Sequence, residues 1–113
     1  MFPSHAMQRA LERCPGVCPG VLIRGIKHSV LSGDESIVRF VARIRKEDFV
    51  DLYFMKLSNG LPRYALVCTP SGYIITFLEP GAAIWTTRGQ YFLGQNGLEA
   101  MTDEQRKSLC RDV

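Results

Sequence analysis

Between residues 48 and 87 the apolar positions fall into four runs, divided by three turn signals. The runs are Val50 to Leu57, Arg63 to Thr69, Tyr73 to Leu78 and Ala82 to Thr87. Ser58-Asn59-Gly60 carries the Asn-Gly pair of a tight hairpin. Thr69-Pro70-Ser71-Gly72 puts Pro early in a turn and Gly where the chain must become left-handed. Glu79-Pro80-Gly81 fits a type II turn. Strand-length runs alternating with such turns predict an antiparallel meander. Arg63 to Thr69 and Tyr73 to Leu78 are apolar almost throughout, as expected of strands covered on both faces. The sequence offers two terminal helices as covers.

The first of these helices is predicted from about His5 to Arg13. Ala6, Met7, Ala10, Leu11 and Cys14 recur at helical spacing, and Pro15-Gly16 ends the run. Ser4 is placed to cap it. Val21 to Leu31 is aliphatic and β-branched in part, broken by Gly25, and reads as a strand in which Gly25 marks a bulge or a close backbone approach. Ile37 to Lys46 fits both periods. Ile37, Phe40, Val41 and Ile44 match a helical face, whereas Val38, Phe40, Ala42 and Ile44 match one face of a strand. The density of Ile, Val and Phe favours the strand, paired with Val21 to Leu31. Tyr91-Phe92-Leu93 adds a short last strand and Gly94-Gln95-Asn96-Gly97 a loop. Thr102-Asp103-Glu104-Gln105 is a capping box that opens a helix from Asp103 to Asp112. The expected fold is therefore α+β: one domain, residues 1–113, with an antiparallel meander of about six strands between an N-terminal and a C-terminal helix.

Composition narrows the class without naming a function. The chain has 113 residues, 46% hydrophobic and 22% charged, which is ordinary for a globular domain and argues against disorder. The start, MFPSHAMQRALERCPG, lacks the basic and apolar regions of a secretory signal, and no apolar run reaches the roughly 18 residues of a membrane span. The expectation is a cytoplasmic protein whose cysteines stay as thiols. Net charge is only +3, but Arg24, Lys27, Arg39, Arg43, Arg45 and Lys46 crowd the segment from Val21 to Lys46 against Asp34 and Glu35 alone.

Candidate chemistry is sparse. Cys14 and Cys18 sit in two Cys-Pro-Gly units, but a tetrahedral zinc shell needs a second pair, and His28, Cys68 and Cys110 do not supply one by spacing. No metal or other cofactor is expected. Cys14 and Cys110 fall near predicted helix C-termini, where a thiolate is disfavoured, and Cys68 lies in an apolar strand. His5, His28, Asp48 and Asp51 form no recognisable acid–base dyad, and no nucleophile elbow, phosphate loop or zinc-helix motif is present. These features lean away from catalysis.

Two binding readings remain. In the first, Trp85 with Ile84, Tyr91 and Phe92 forms an aromatic anchor near a sheet edge, for a protein partner or for a second copy in a homodimer. The competing role for Trp85 is to fill the core beneath the last helix. In the second, Arg39, Arg43 and Arg45 project from one face of a strand, joined by Arg24, Lys27 and Lys46, and grip single-stranded nucleic acid. A solvated arginine face is the plainer account of that pattern. The protein-binding reading, as a non-enzymatic regulator of inhibitor or adaptor type, is the expectation carried forward.

Overall fold

A computed structural model describes residues 5–101 and Glu104. Two helices come first, α1 (His5–Arg13) and α2 (Pro19–Ser32). Seven strands follow: β1 (Arg39–Arg45), β2 (Val50–Lys56), β3 (Pro62–Cys68), β4 (Tyr73–Leu78), β5 (Ala83–Thr86), β6 (Gly89–Leu93) and β7 (Leu98–Ala100). They make two antiparallel sheets, one ordered β1-β2-β3-β4 and the other β5-β6-β7. The α+β class and the antiparallel pairing agree with the sequence. A single six-stranded meander does not. The predicted helix over 103–112 and the Ser4 cap lie outside the described residues.

Val21 to Leu31 is helix rather than strand. Pro19 occupies the first turn, where its missing N–H is no loss. At the other end Gly33 takes φ 74° and donates to Ser29 O, while Asp34 N–H reaches the same carbonyl at 3.1 Å. This is a Schellman stop, and it requires the left-handed residue that Gly supplies. Ile26 and Ser29 are buried, with Leu22, Ile23 and Val30 packed beside them, a helical period that outweighs strand propensity. With α2 removed from the sheet, β1 pairs with β2 instead, through Phe40↔Tyr53 and Arg43↔Asp51.

The hairpin turns form where the sequence places them. Leu57 O accepts the Gly60 N–H at 2.8 Å, with Gly60 at φ 85°, and Asn59 bridges to the Leu61 amide and the Pro15 carbonyl. Gly72 has φ 71°, and a Cβ there would stand 2.8 Å from Lys27 Cγ and 3.1 Å from Leu31 Cγ. The β3–β4 turn therefore abuts α2 at a point with no room for a side chain. At Glu79-Pro80-Gly81 the chain turns as expected but does not return as a fifth strand. Gly81 donates to Leu93 O at 2.7 Å, which starts the second sheet.

Both faces of the first sheet are buried, by different covers. On one face Tyr53, Met55, Ala65, Val67 and Phe77 meet Ala6, Ala10 and Cys14 of the α1 side and Ile26 of α2. The small residues at 6 and 10 let α1 lie close against β4. On the other face Leu52, Phe54 and Tyr64 meet Leu93, with Ile84 and Leu98 of the second sheet alongside. The requirement for a cover on each face holds, but both described helices lie on one side and the C-terminal strands supply the other. Three polar clasps hold the two sheets together. Tyr64 Oη donates to Gly94 O at 2.7 Å, Arg39 to Asn96 O at 3.0 Å, and Thr87 N–H to Arg43 O at 3.0 Å.

Candidate functional surfaces

The second sheet sorts the four aromatic and aliphatic candidates onto two faces. Ile84 pairs with Tyr91, and Trp85 pairs with Gln90. Side chains alternate along a strand, so Ile84 and Tyr91 share the inner face. Trp85 and Phe92 share the outer one as diagonal neighbours. Ile84 packs into the core with Leu93 and Leu98. Trp85 is 68% exposed, more than any other large apolar side chain among the described residues. It therefore does not fill a core. The structure brings Trp85 and Phe92 together and turns Ile84 and Tyr91 inward to support them.

The arginines of β1 are not gathered. β1 carries bulges between Phe40 and Ala42 and between Arg43 and Arg45, and each resets the alternation. Arg39 stands opposite Phe54, on the face toward the second sheet, with its guanidinium 5.2 Å from that ring centroid. Arg43 stands opposite Asp51, on the face toward the helices. Arg45 pairs with Asp48 at 3.1 Å in an exposed contact. Arg24 and Lys27 project from the exposed side of α2, beside His28 and Leu31, and Lys46 is exposed in the β1–β2 turn.

Arg43 and Asp51 form the most developed polar network among the described residues. Asp51 is buried, and both its oxygens face Arg43, at 2.8 and 3.3 Å. Thr69 Oγ1 donates to the second oxygen at 2.5 Å, and Tyr53 Oη lies 3.3 Å from Thr69 Oγ1. The guanidinium also sits 5.1 Å from the Phe49 ring centroid. Phe49 is the one described non-glycine residue with positive φ, 54°, and its carbonyl accepts the Thr69 amide at 3.1 Å. Hydrogen bonding to Asp51 raises the Arg43 pKa, ahead of burial, which lowers it. Every member of the network has a partner, which is the condition under which the buried Asp51 carboxylate is tolerated. The sequence marks Asp51 only as a carboxylate near the start of the Val50 to Leu57 run, with no partner implied. The cross-strand register that joins it to Arg43 depends on the bulges.

The three described thiols differ in burial, and Cys110 lies outside the described residues. Cys14 is buried beneath α1, Cys18 is exposed at the start of α2, and Cys68 is half-buried at the end of β3. Burial pushes the Cys14 thiol up to about 11, with Arg63 opposing and Glu79 adding to the shift. No three His, Cys, Asp or Glu side chains among the described residues gather as a metal site. No described helix is long and apolar enough to cross a membrane. A cleft of about 370 Å³ lies between β1 and the second sheet, walled by Val41, Ala42 and Arg43 on one side and by Thr87, Arg88 and Tyr91 on the other.

Two consequences are measurable. Arg43→Ala leaves the Asp51 carboxylate buried with only a hydroxyl for company, so it lowers the urea midpoint clearly. Arg45→Ala breaks an exposed pair and changes stability by about 0–1 kcal/mol. Adding Asp51→Asn to Arg43→Ala recovers part of the loss, because no buried charge is then stranded. Equal effects of the two single changes contradict the assignment. For Cys14, the unfolded thiol ionises near 9.0 and the folded one near 11. Between those values the unfolded chain holds fewer protons, so stability falls as pH rises. Under reducing conditions, unfolding free energies measured on either side of that interval show this decline, and Cys14→Ala flattens it. An unchanged slope in the variant rules the contribution out.

Comparison of this chain with protein-family models, with curated protein sequences and with solved structures finds no match.

Proposed function

We propose that this protein acts without catalysis, by binding another protein through the outer face of its second sheet, as an inhibitor or adaptor does. The observation that supports the reading is Trp85. It stands 68% exposed on a strand whose inner face is anchored in the core by Ile84. Burying a large aromatic side chain is worth roughly 1.5–3 kcal/mol, a gain that the isolated chain forgoes here. Trp and its aromatic neighbours are the residues that dominate binding energy at interfaces, and strand-borne anchors lose little entropy on docking. Phe92 supplies the adjoining apolar area and Gln90 and Glu99 a polar rim. The nucleic-acid alternative has less support, because Arg39, Arg43 and Arg45 are each engaged by this chain's own groups and Arg43 lies on the opposite face from the other two.

A photo-crosslinking residue at position 85, introduced in the native host, tests the proposal. One discrete protein adduct is expected. Trp85→Ala is expected to abolish capture of the same protein while leaving the circular dichroism and the melting temperature close to those of the parent. Capture that survives Trp85→Ala with the fold intact overturns the assignment of this face, as does a position-85 variant that reacts only with solvent.

A further inference from the structure

We propose that the cleft between β1 and the second sheet receives a short, extended, acidic segment of a partner protein, laid along the outer edge of β1. This site is separate from the Trp85 face and does not depend on it.

β1 ends its sheet and pairs only with β2 there. An end strand offers unpaired backbone donors and acceptors to any extended chain alongside it. This chain makes the first such contact itself: Thr87 N–H donates to Arg43 O at 3.0 Å. The contact stops there, because Thr86 accepts the Arg88 amide at 3.1 Å and bonds Gly89 O at 2.9 Å, which turns the chain back into β6. The β1 residues Phe40 to Arg43 line the cleft beside that turn. At about 3.3 Å per residue this stretch matches a peptide of roughly four residues. The bulge at Val41 limits the ladder to a short segment and disfavours a long added strand. A volume of about 370 Å³ falls in the range of ligand-sized sites.

The cleft also selects a charge. Its lining holds no carboxylate, and of its two arginines Arg43 is already neutralised by Asp51, so Arg88 carries the uncompensated charge. Asp51, the carboxylate nearest Arg43, is already bound by that guanidinium and by Thr69. The Arg88 side chain is exposed and makes no ion pair with any described residue. Arg39 stands at the far end of the same edge, clasped to Asn96 O. An acidic side chain of the segment meets complementary potential at Arg88, and a basic one is repelled there. Tyr91 and Leu98 in the cleft lining suit an apolar side chain next to an acidic one, as alternation along an extended peptide provides. A nucleic acid satisfies the charge but brings no peptide backbone to pair with the strand edge, so the peptide is the better-matched occupant.

The test uses the full chain against a displayed library of random dodecapeptides at low salt, followed by anisotropy titration of the selected peptides made synthetically. Enriched sequences are expected to alternate Asp or Glu with apolar residues. Arg88→Glu is expected to weaken their binding by about tenfold or more, Arg88→Gln by less, and Trp85→Ala not at all. Amide resonances of residues 40–43 are expected to shift on titration. Selection without acidic enrichment, Arg88→Glu binding equal to the parent, or shifts confined to other elements overturns the proposal. Competition by a single-stranded oligonucleotide for the same residues, with no peptide selected, overturns it in favour of nucleic acid.

Discussion

Leu52, Phe54 and Tyr64 point to one side of a four-stranded sheet whose other side carries Tyr53, Met55, Ala65 and Val67. Neither side can be left to water, since each large apolar side chain forfeits roughly 1.5–3 kcal/mol when exposed. The arrangement of the chain follows from that double demand. The N-terminal residues coil into α1 and α2 and close one face. The C-terminal residues leave the meander at Pro80-Gly81, cross to the other face and close it as a second sheet. Arg13 and Arg63 reinforce the first closure: Arg13 donates to Phe77 O, and Arg63 takes the Arg13 carbonyl at the end of α1. Tyr64, Arg39 and Thr87 reinforce the second.

The same demand decides which surfaces are left over. A second sheet of three short strands has only one face to give to the core, so its outer face, with Trp85 and Phe92, meets solvent. The sheets touch at the Thr87–Arg43 contact, so the β1 edge beyond it borders a cleft. The pair of half-exposed Arg43 and buried Asp51 sits where this edge meets the face toward the helices. It holds β1 and β2 in a register that the two bulges would otherwise leave weakly specified. Binding surfaces and structural pairings are thus neighbours along one strand.

Much of this was legible in local chemistry. The α1 helix and the positions of β2 to β6 follow from apolar spacing and from glycines at 60, 72 and 81, which take the positive φ that their turns require, and β1 follows from its density of Ile, Val and Phe. Three things were not legible, each for a physical reason. The segment over α2 has strand-like composition, and its decisive marks, Pro19 in the first turn and Gly33 behind the last, fit a loop and a turn equally well. The alternation of residues 82–87 shows a strand but not its partner, because pairing is a long-range property, and the three-residue β7 is too short for any period to reveal. The bulges at Val41 and Ile44 leave no trace in composition, yet they place Arg39 and Arg43 on opposite faces and bring Asp51 to a partner. Trp85 was legible as a candidate, but not its separation from Ile84 and Tyr91.

If the second sheet is an obligatory cover, it cannot open while the first sheet stays folded. Native-state hydrogen exchange measures this directly. Amides of β6, which carries the buried Leu93, are expected to exchange with the same free energy as those of β2 and β3, in one cooperative opening. Exchange of the β5–β7 amides at a distinctly lower free energy, with Leu52, Phe54 and Tyr64 still protected, would contradict the account.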